Sequence, residues 1–456
     1  MTGRYLMMDR QKTNFSSCKI IVIMAALVSL YANAADNVDG AKVNWKASVG
    51  AEAAHTDNSL KTSRNTQSDT TEKLLTGVVL NRKTADVSID LNYDAAKETY
   101  RDNTQSDRTT VEGAGKLHWQ ILPAQLYLDV ENYRQDDLID SREADTPQNR
   151  DIRNTTSIGP TFIGKLTPRD ILVDTIKFSE MDFSDTTSSD NSRQQVTIAY
   201  THATSAVQSI GLSSDLTAVD YDEKNRLDTN FSRYFLTLKR RYSLGFINAA
   251  VGTNRADRGT RDDSGGSYYS LSGALRSGEH ALKLDASRQL VDSSLGVQGG
   301  RDTLTNTTSI RRTNFSITDV SRDTSAQLQY INSRPCARCR ADLTLYLEKQ
   351  AYEKSSSRDE DRKGFSVGFD YRWTPLWDSR LLLSREKTNR ATTTKDEILH
   401  LASFQTNYHF AKSWRTQFEY ALERRDANGQ LDSSGFDRGY TEHEVRVGLY
   451  LDIDSQ

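Results

Sequence analysis

The clearest pattern in the chain is the alternation of apolar and polar residues between Tyr440 and Ile453. In an extended strand, one face of this stretch carries Val445, Val447, Leu449, Leu451 and Ile453. The other face carries Glu444, Arg446, Gly448, Tyr450 and Asp452. A period of two over this length predicts a β-strand. Strands of soluble sheets alternate in the same way, but a closed transmembrane barrel also needs such a C-terminal strand to pair with its first one.

Similar alternating segments of roughly 9 to 14 residues recur from Lys42 onward. The first has Val43, Trp45, Ala47, Val49 and Ala51 on one face, and a later one has Phe365, Val367, Phe369, Tyr371 and Trp373. The segments near residues 171–178 and 231–240 are less regular. About 20 segments can be counted, with a range of roughly 16 to 22. We therefore predict an all-β fold, a transmembrane antiparallel up-and-down β-barrel of about 20 strands.

The predicted strands are joined alternately by long polar loops and by very short turns such as Arg82-Lys83-Thr84. The long loops cover residues 135–150, 184–193, 222–230, 256–266, 354–362 and 425–438. The longest connection, residues 292–322, fits an outer loop, a segment folded into the lumen, or two further strands. An even number of strands predicts that both termini lie on the periplasmic side, with the short turns.

The five tryptophans are an independent indication of the membrane boundary. All of them fall at strand ends beside the predicted short turns: Trp45, Trp119, Trp373, Trp377 and Trp414. Amphipathic rings favour the level of the lipid head groups, so this placement predicts an interfacial girdle on the periplasmic side. Rims of soluble sheets also carry tryptophans, and the girdle therefore supports the membrane prediction only together with the strand pattern.

The composition of the chain favours a barrel over several densely packed domains. The chain has 456 residues, of which 36% are hydrophobic and 27% charged. Such a polar chain is hard to fold into several dense cores, whereas a barrel with a polar lumen needs only every second strand residue to be apolar. The net charge of −3 gives no reason to expect nucleic-acid binding.

The N-terminus resembles a secretory signal. Arg10, Lys12 and Lys19 precede an apolar run over residues 20–30, and Ala32-Asn33-Ala34 supplies a small-x-small cleavage pattern. We predict a signal peptide over residues 1–34 and one barrel domain over residues 35–456. No later run is apolar for long enough to form a membrane helix. The predicted location is the outer membrane of a Gram-negative cell, with outer-membrane lipid as the surrounding partner.

One compact motif, Cys336-Ala337-Arg338-Cys339, has residue types that could carry chemistry. It lacks the further Cys or His ligands that zinc needs, and Arg340 stands where c-type haem attachment requires His. We interpret the pair Cys336 and Cys339 as a disulfide in an oxidising compartment. The seven histidines have no metal-ligand spacing, and no nucleophile elbow or phosphate-binding loop occurs. We predict no enzyme activity, metal or cofactor; a catalytic site assembled from separate loops is the alternative.

The polar faces of the strands supply candidate pore-lining residues of both signs. These are Asp90, Asp129, Glu131, Lys283, Asp285, Asp342, Asp370, Arg372, Arg415, Glu419 and Arg446. Rings of one sign would indicate ion selectivity, and no such ring is evident in the sequence. The mixture fits either a solvated wall with local ion pairs or a path for a polar, hydroxyl-rich polymer.

Three stretches carry a family resemblance: Ser157-Ile158-Gly159-Pro160, Thr303-Leu304-Thr305-Asn306, and residues 435–451 with Arg438-Gly439-Tyr440-Thr441-Glu442. With them, most of the mature chain resembles the outer-membrane β-barrels associated with exopolysaccharide and exosortase (PEP-CTERM) loci. The resemblance implies export of a polysaccharide cargo, with a periplasmic polysaccharide export protein as a partner. The chain departs from the family in ending on Asp454, Ser455 and Gln456 after Ile453 instead of on an aromatic residue.

Two alternative functions fit the same barrel. A sheath around a multihaem electron-transfer protein, as in porin-cytochrome complexes, would also span the membrane as strands. A general diffusion porin would need no partner and would show open conductance when purified.

Overall fold

The computed structural model describes residues 43–223, 226–259, 263–292, 319–392, 396–427, 429 and 437–454. The predicted signal peptide, residues 1–34, lies outside the described residues. Within them, the chain forms one antiparallel sheet of 20 strands in which consecutive strands pair. No helix in this part of the chain is long and apolar enough to cross a membrane.

The strands have the following bounds: β1 Val43–Thr56, β2 Asp69–Lys83, β3 Val87–Tyr100, β4 Arg108–Leu122, β5 Leu126–Leu138, β6 Arg150–Lys165, β7 Asp170–Phe183, β8 Asn191–Ser205, β9 Gln208–Tyr221, β10 Thr229–Tyr242, β11 Gly245–Asp257, β12 Ser264–Ser277, β13 His280–Asp292, β14 Val320–Asn332, β15 Cys339–Tyr352, β16 Glu360–Thr374, β17 Trp377–Arg390, β18 Glu397–His409, β19 Trp414–Asp426 and β20 Tyr440–Asp454. Among the described residues, three short 3₁₀ turns lie in the long loops, at Pro147–Asn149, Thr187–Ser189 and Ser356–Arg358.

The sheet closes on itself through its first and last strands. β1 pairs antiparallel with β20 from Lys46 opposite Asp454 to Thr56 opposite Glu444. Closure leaves no sheet edge, so backbone N–H and C=O groups along the wall find partners without water. The prediction of a closed antiparallel barrel of about 20 strands is confirmed.

An inward tyrosine packs across this seam. The Tyr450 ring lies over Gly50 and Gly448, where added Cβ atoms would come within 2.6 and 2.7 Å of ring carbons. The Tyr450 hydroxyl donates a hydrogen bond to the carboxylate of Glu52 on β1. The two glycines therefore provide the space in which β20 and β1 share one ring.

The outward face is apolar in the middle of the strands. On β20, Val445, Val447, Leu449 and Ile453 are 39 to 54% exposed, while the alternate residues face inward. The five tryptophans are 39 to 46% exposed and all lie at the short-turn end. An exposed apolar belt with aromatic residues at its rim is the expected surface of a strand barrel in lipid.

The structure corrects one detail of the strand prediction, a turn, and gives the bounds of the less regular segments. β2 continues through Lys83, so the tight turn comprises residues 84–86 instead of Arg82-Lys83-Thr84. The less regular segments near 171–178 and 231–240 are full strands, β7 and β10. For the long connection 292–322, β13 reaches Asp292 and β14 starts at Val320, while residues 293–318 lie outside the described part.

Candidate functional site

The inner wall holds all eleven residues that the alternation assigned to the lumen. Each stands between neighbours on the outward face; Asp370, for example, follows Phe369, which is 39% exposed on the outside. The inward residues are Asp90, Asp129, Glu131, Lys283, Asp285, Asp342, Asp370, Arg372, Arg415, Glu419 and Arg446. Their polar groups therefore face one another across and along the inside of the barrel.

The structure brings several of these residues into ion pairs with partners that the sequence had not indicated. Arg380 on β17 contacts the carboxylates of both Asp370 (2.8 Å) and Asp342 (3.3 Å). Lys177 on β7 reaches Glu131 on β5 at 2.7 Å, across the one intervening strand, β6. Each cation lies on a different strand from the acids with which it pairs. The pairs are therefore evident only once the pairing register of the strands is known.

A second group lies near the seam. Arg446 contacts Glu444 at 2.5 Å and Glu419 at 3.4 Å. Arg415 packs on the Tyr450 ring, 3.8 Å from its centroid, and contacts Asp452 at 3.2 Å. Away from the seam, His118 on β4 and Asp129 on β5 form a further contact of 2.7 Å. Among the described residues, Asp90, Lys283 and Arg372 have no ion-pair partner.

The mouth at the long-loop end holds a compact loop, residues 139–149, which we call the mouth loop. Its two ends are joined by Asn149, whose side-chain amide donates to the carbonyl oxygens of Asp140 (2.8 Å) and Ala144 (3.0 Å). Asn149 Oδ1 in turn accepts the backbone N–H of Asp140. The Asp140 carboxylate accepts hydrogen bonds from Arg142. The loop is thus held in one shape by its own short-range contacts.

Two arginines from distant strands hold the backbone of the mouth loop; we call Arg390 and Arg425 the arginine clamp. Arg390 Nη2 donates to the carbonyl oxygen of Ser141 at 3.2 Å. Arg425 donates to those of Arg142 (2.6 Å) and Glu143 (3.1 Å). Three consecutive carbonyls of a loop between β5 and β6 are therefore bound by β17 and β19.

Buried carboxylates fix the clamp in position. Glu397 on β18 is 3% exposed and forms ion pairs with both clamp arginines, at 2.9 Å with Arg425. Arg438, just before β20, contacts the Glu143 side chain at 3.1 Å. Charges buried this deeply are stable only when they are paired and hydrogen-bonded, as these are.

A second loop enters the same mouth. Lys61, in the connection between β1 and β2, contacts Glu423 at 3.0 Å and Glu442 at 3.1 Å. Burial alone would lower the pKa of Lys61, but Tyr440, Glu423 and Glu442 raise it well above its usual value. Lys61 therefore stays protonated and fixes its loop to β19 and β20.

Sequence reasoning missed the mouth loop and the arginine clamp. Residues 135–150 were predicted to be a polar loop, but polarity does not say where a loop folds. The one signal in the chain is an excess of Arg and Glu at inward positions of the last strands, such as Glu397 and Arg425. At the other end, the structure joins Cys336 and Cys339 in a disulfide within a short turn. No cluster suited to a metal ion occurs among the described residues.

Comparisons with known proteins give general likenesses only. No family model matches the chain, and no curated protein matches it. Similar solved structures include a mutant ferric enterobactin receptor of Pseudomonas aeruginosa, with 11% identity, a TM-score of 0.48, and coverage of 91% of this chain and 81% of that one. An anion-selective porin of Comamonas acidovorans has 10% identity, a TM-score of 0.41, and coverage of 91 and 100%. The iron transporter FrpB of Neisseria meningitidis has 8% identity, a TM-score of 0.46, and coverage of 90 and 81%.

Proposed function

We propose that the protein is an outer-membrane channel through which a secreted exopolysaccharide leaves the cell. In the proposed orientation, the short turns, the start of β1 and the end of β20 face the periplasm. The mouth loop faces the outside of the cell. The barrel carries cargo and performs no reaction on it.

The observation that supports the proposal is the paired inner wall. Many of its charges are joined in local ion pairs such as Arg380 with Asp342 and Asp370, and Arg446 with Glu419. A wall of this kind offers polar contacts to hydroxyl groups without a strong field of one sign. Barrels of 16 or more strands can also enclose a lumen wider than their own side chains fill. A neutral, hydroxyl-rich polymer is the cargo class that fits both properties.

The periplasmic end offers a surface for the proposed export partner. The connections and strand ends there are rich in basic residues, including Lys239, Arg240, Arg241, Arg334 and Arg338. Arg338 also donates to the backbone oxygen of Trp373 at 2.7 Å, beside the disulfide turn. We propose that a periplasmic export protein with an acidic rim docks on this basic end.

The proposal is tested by measuring surface polysaccharide in cells with the gene deleted and with it restored. Loss of surface polymer on deletion, with recovery when the restored protein is in the outer-membrane fraction, is the expected result. Unchanged polymer in the deletion strain would contradict it.

A general diffusion porin is the second candidate, because a wall of paired charges favours neither cations nor anions. Purified protein in a planar bilayer separates the two functions. Polymer of the exported type should reduce the single-channel current if it enters the lumen. A steady open current that the polymer does not change would favour the porin.

A further inference from the structure

A group of basic residues lies on the outward face of β16 to β19, close to the long-loop end; we call it the outer basic patch. It consists of Lys363, Arg385, His400 and Arg424, all exposed. In the register of the sheet, Arg385 is opposite His400, and His400 is opposite Arg424. Lys363 lies directly opposite another cation, Lys387. The residues are therefore neighbours on one surface.

Like charges that face each other directly across strands, as Lys363 and Lys387 do, repel. Lys387 has an ion pair with Asp396. Among the residues that the structure describes, Lys363, Arg385 and Arg424 have no acidic partner. The inner face of the same strands, by contrast, pairs its arginines with Glu360, Glu397 and Asp370. The outer basic patch thus lacks the counter-charge that its inner counterpart has.

Apolar residues continue the same face toward the middle of the barrel. Phe365 is two residues from Lys363 and 40% exposed, and Leu383 is two residues from Arg385 and 43% exposed. A ligand that covers this surface must be anionic at one end and apolar at the other. Long basic side chains suit this boundary, because their stems lie on apolar surface while their charges reach the head-group level.

The outward rim differs on the far side of the barrel. Near the long-loop ends of β7 and β9, the outward residues are acidic instead, and include Glu180, Asp182 and Asp220. A uniform attraction of the whole rim to lipid would place cations on both sides. The asymmetry points to one bound anion at a fixed place.

We propose that the outer basic patch binds the phosphorylated head group of an outer-leaflet glycolipid of the lipopolysaccharide class, with the acyl chains along Phe365 and Leu383. The inference rests on the proposed outer-membrane location and orientation, and it is independent of the cargo. Arg385 and Arg424 would form charge-assisted hydrogen bonds with phosphate oxygens, and Lys363 would supply a further charge.

The test measures binding of lipopolysaccharide to the purified full-length barrel in detergent, by native mass spectrometry. Replacing Lys363, Arg385 and Arg424 together by Ala should weaken binding roughly a hundredfold. Each replaced cation should account for a loss of affinity of about tenfold or less. Dephosphorylated lipopolysaccharide should bind the native protein as weakly as the intact lipid binds the variant. Arg255→Ala on β11 is the matched control, because Arg255 is outward and exposed but paired with Asp263.

Heat-modifiable migration on gels confirms that each variant is folded, and Gln substitutions replace Ala if the triple variant does not fold. Equal binding by the triple variant, equal binding of dephosphorylated lipid, or an equal loss in Arg255→Ala would each overturn the proposal. Competition by inorganic phosphate alone at the concentration of the lipid would also overturn it, by showing a free-phosphate site. Normal lipid binding with unchanged surface polymer in the deletion strain would refute the export function and leave this inference intact.

Discussion

Phe369 and Asp370 are neighbours on β16, and they face different solvents. Phe369 is 39% exposed on the outward face, within the apolar belt. Asp370 points inward and forms an ion pair with Arg380 on the next strand. Every strand of the barrel repeats this contrast, because successive side chains point to opposite faces.

The two faces follow different rules of specificity. Lipid accepts an apolar side chain at any outward position, so Leu, Val, Phe and Ile can replace one another there at small cost. The inner face depends on particular partners, such as Glu397 with Arg390 and Arg425, and the loss of one partner leaves the other buried and unpaired. The outer face therefore decides whether the chain inserts, and the inner face decides what the lumen contains.

The largest expected effect comes from reversing the character of the outer face. Phe369→Arg places a charge in the apolar belt, at a cost of about 2 to 4 kcal/mol near the bilayer midplane, and should impair assembly. Asp370→Asn is the matched variant on the same strand; it should assemble normally, because Arg380 keeps Asp342 as a partner. The fraction of folded barrel in isolated outer membranes measures both.

Failure of both variants to insert would show that the assignment of the two faces on β16 is wrong. Normal insertion of both would show that this part of β16 does not contact the hydrocarbon region.

A smaller effect is expected from opening the arginine clamp. Arg425→Ala removes the donors to the Arg142 and Glu143 carbonyls and one partner of Glu397. Stranding these buried acceptors costs about 1 to 3 kcal/mol, which should release the mouth loop while the barrel stays folded. Single-channel recordings should then show a larger conductance than the native protein.

Arg372→Ala is the control for this experiment, since Arg372 also faces inward but lies at the short-turn end, away from the mouth loop. Equal conductance of native protein and Arg425→Ala would mean that the mouth loop does not narrow the path. An equal gain in both variants would attribute the change to lost positive charge.

The contrast between the faces also explains how far the sequence predicts this structure. The outer face is a local, repeated pattern, so Val445 to Ile453 and Phe365 to Trp373 were enough to predict strands, closure and a membrane belt. The same alternation placed the inward residues without any knowledge of their contacts. Even the weakly patterned β7 and β10 became full strands, because pairing with both neighbours compensates for an irregular sequence.

The mouth could not be predicted in this way. Arg390 contacts Ser141 across 249 positions, and Arg425 contacts Glu143 across 282. A polar loop and a polar strand end have the same composition whether they meet or not. Only the closed barrel, which brings the ends of β5 and β17 to one rim, makes them partners.

The smallest effect concerns the rim, where charges from different strands converge. Burial and the carboxylates of Asp182, Asp222 and Asp151 raise the pKa of Asp190, in the loop before β8, from 3.8 to about 6. A carboxyl group with a raised pKa stabilises the folded loop below its ordinary pKa, and this contribution is lost as the pH rises through 6. At neutral pH the ionised Asp190 therefore destabilises the folded conformation of its loop.

Asp190→Asn keeps the acceptor for the Phe183 N–H and cannot ionise. Hydrogen exchange in residues 184–190 should be roughly a few-fold slower in Asp190→Asn than in the native protein at neutral pH, since solvent screens much of the repulsion. The difference should shrink toward pH 4, and equal exchange at neutral pH would show that the neighbouring carboxylates do not act on Asp190.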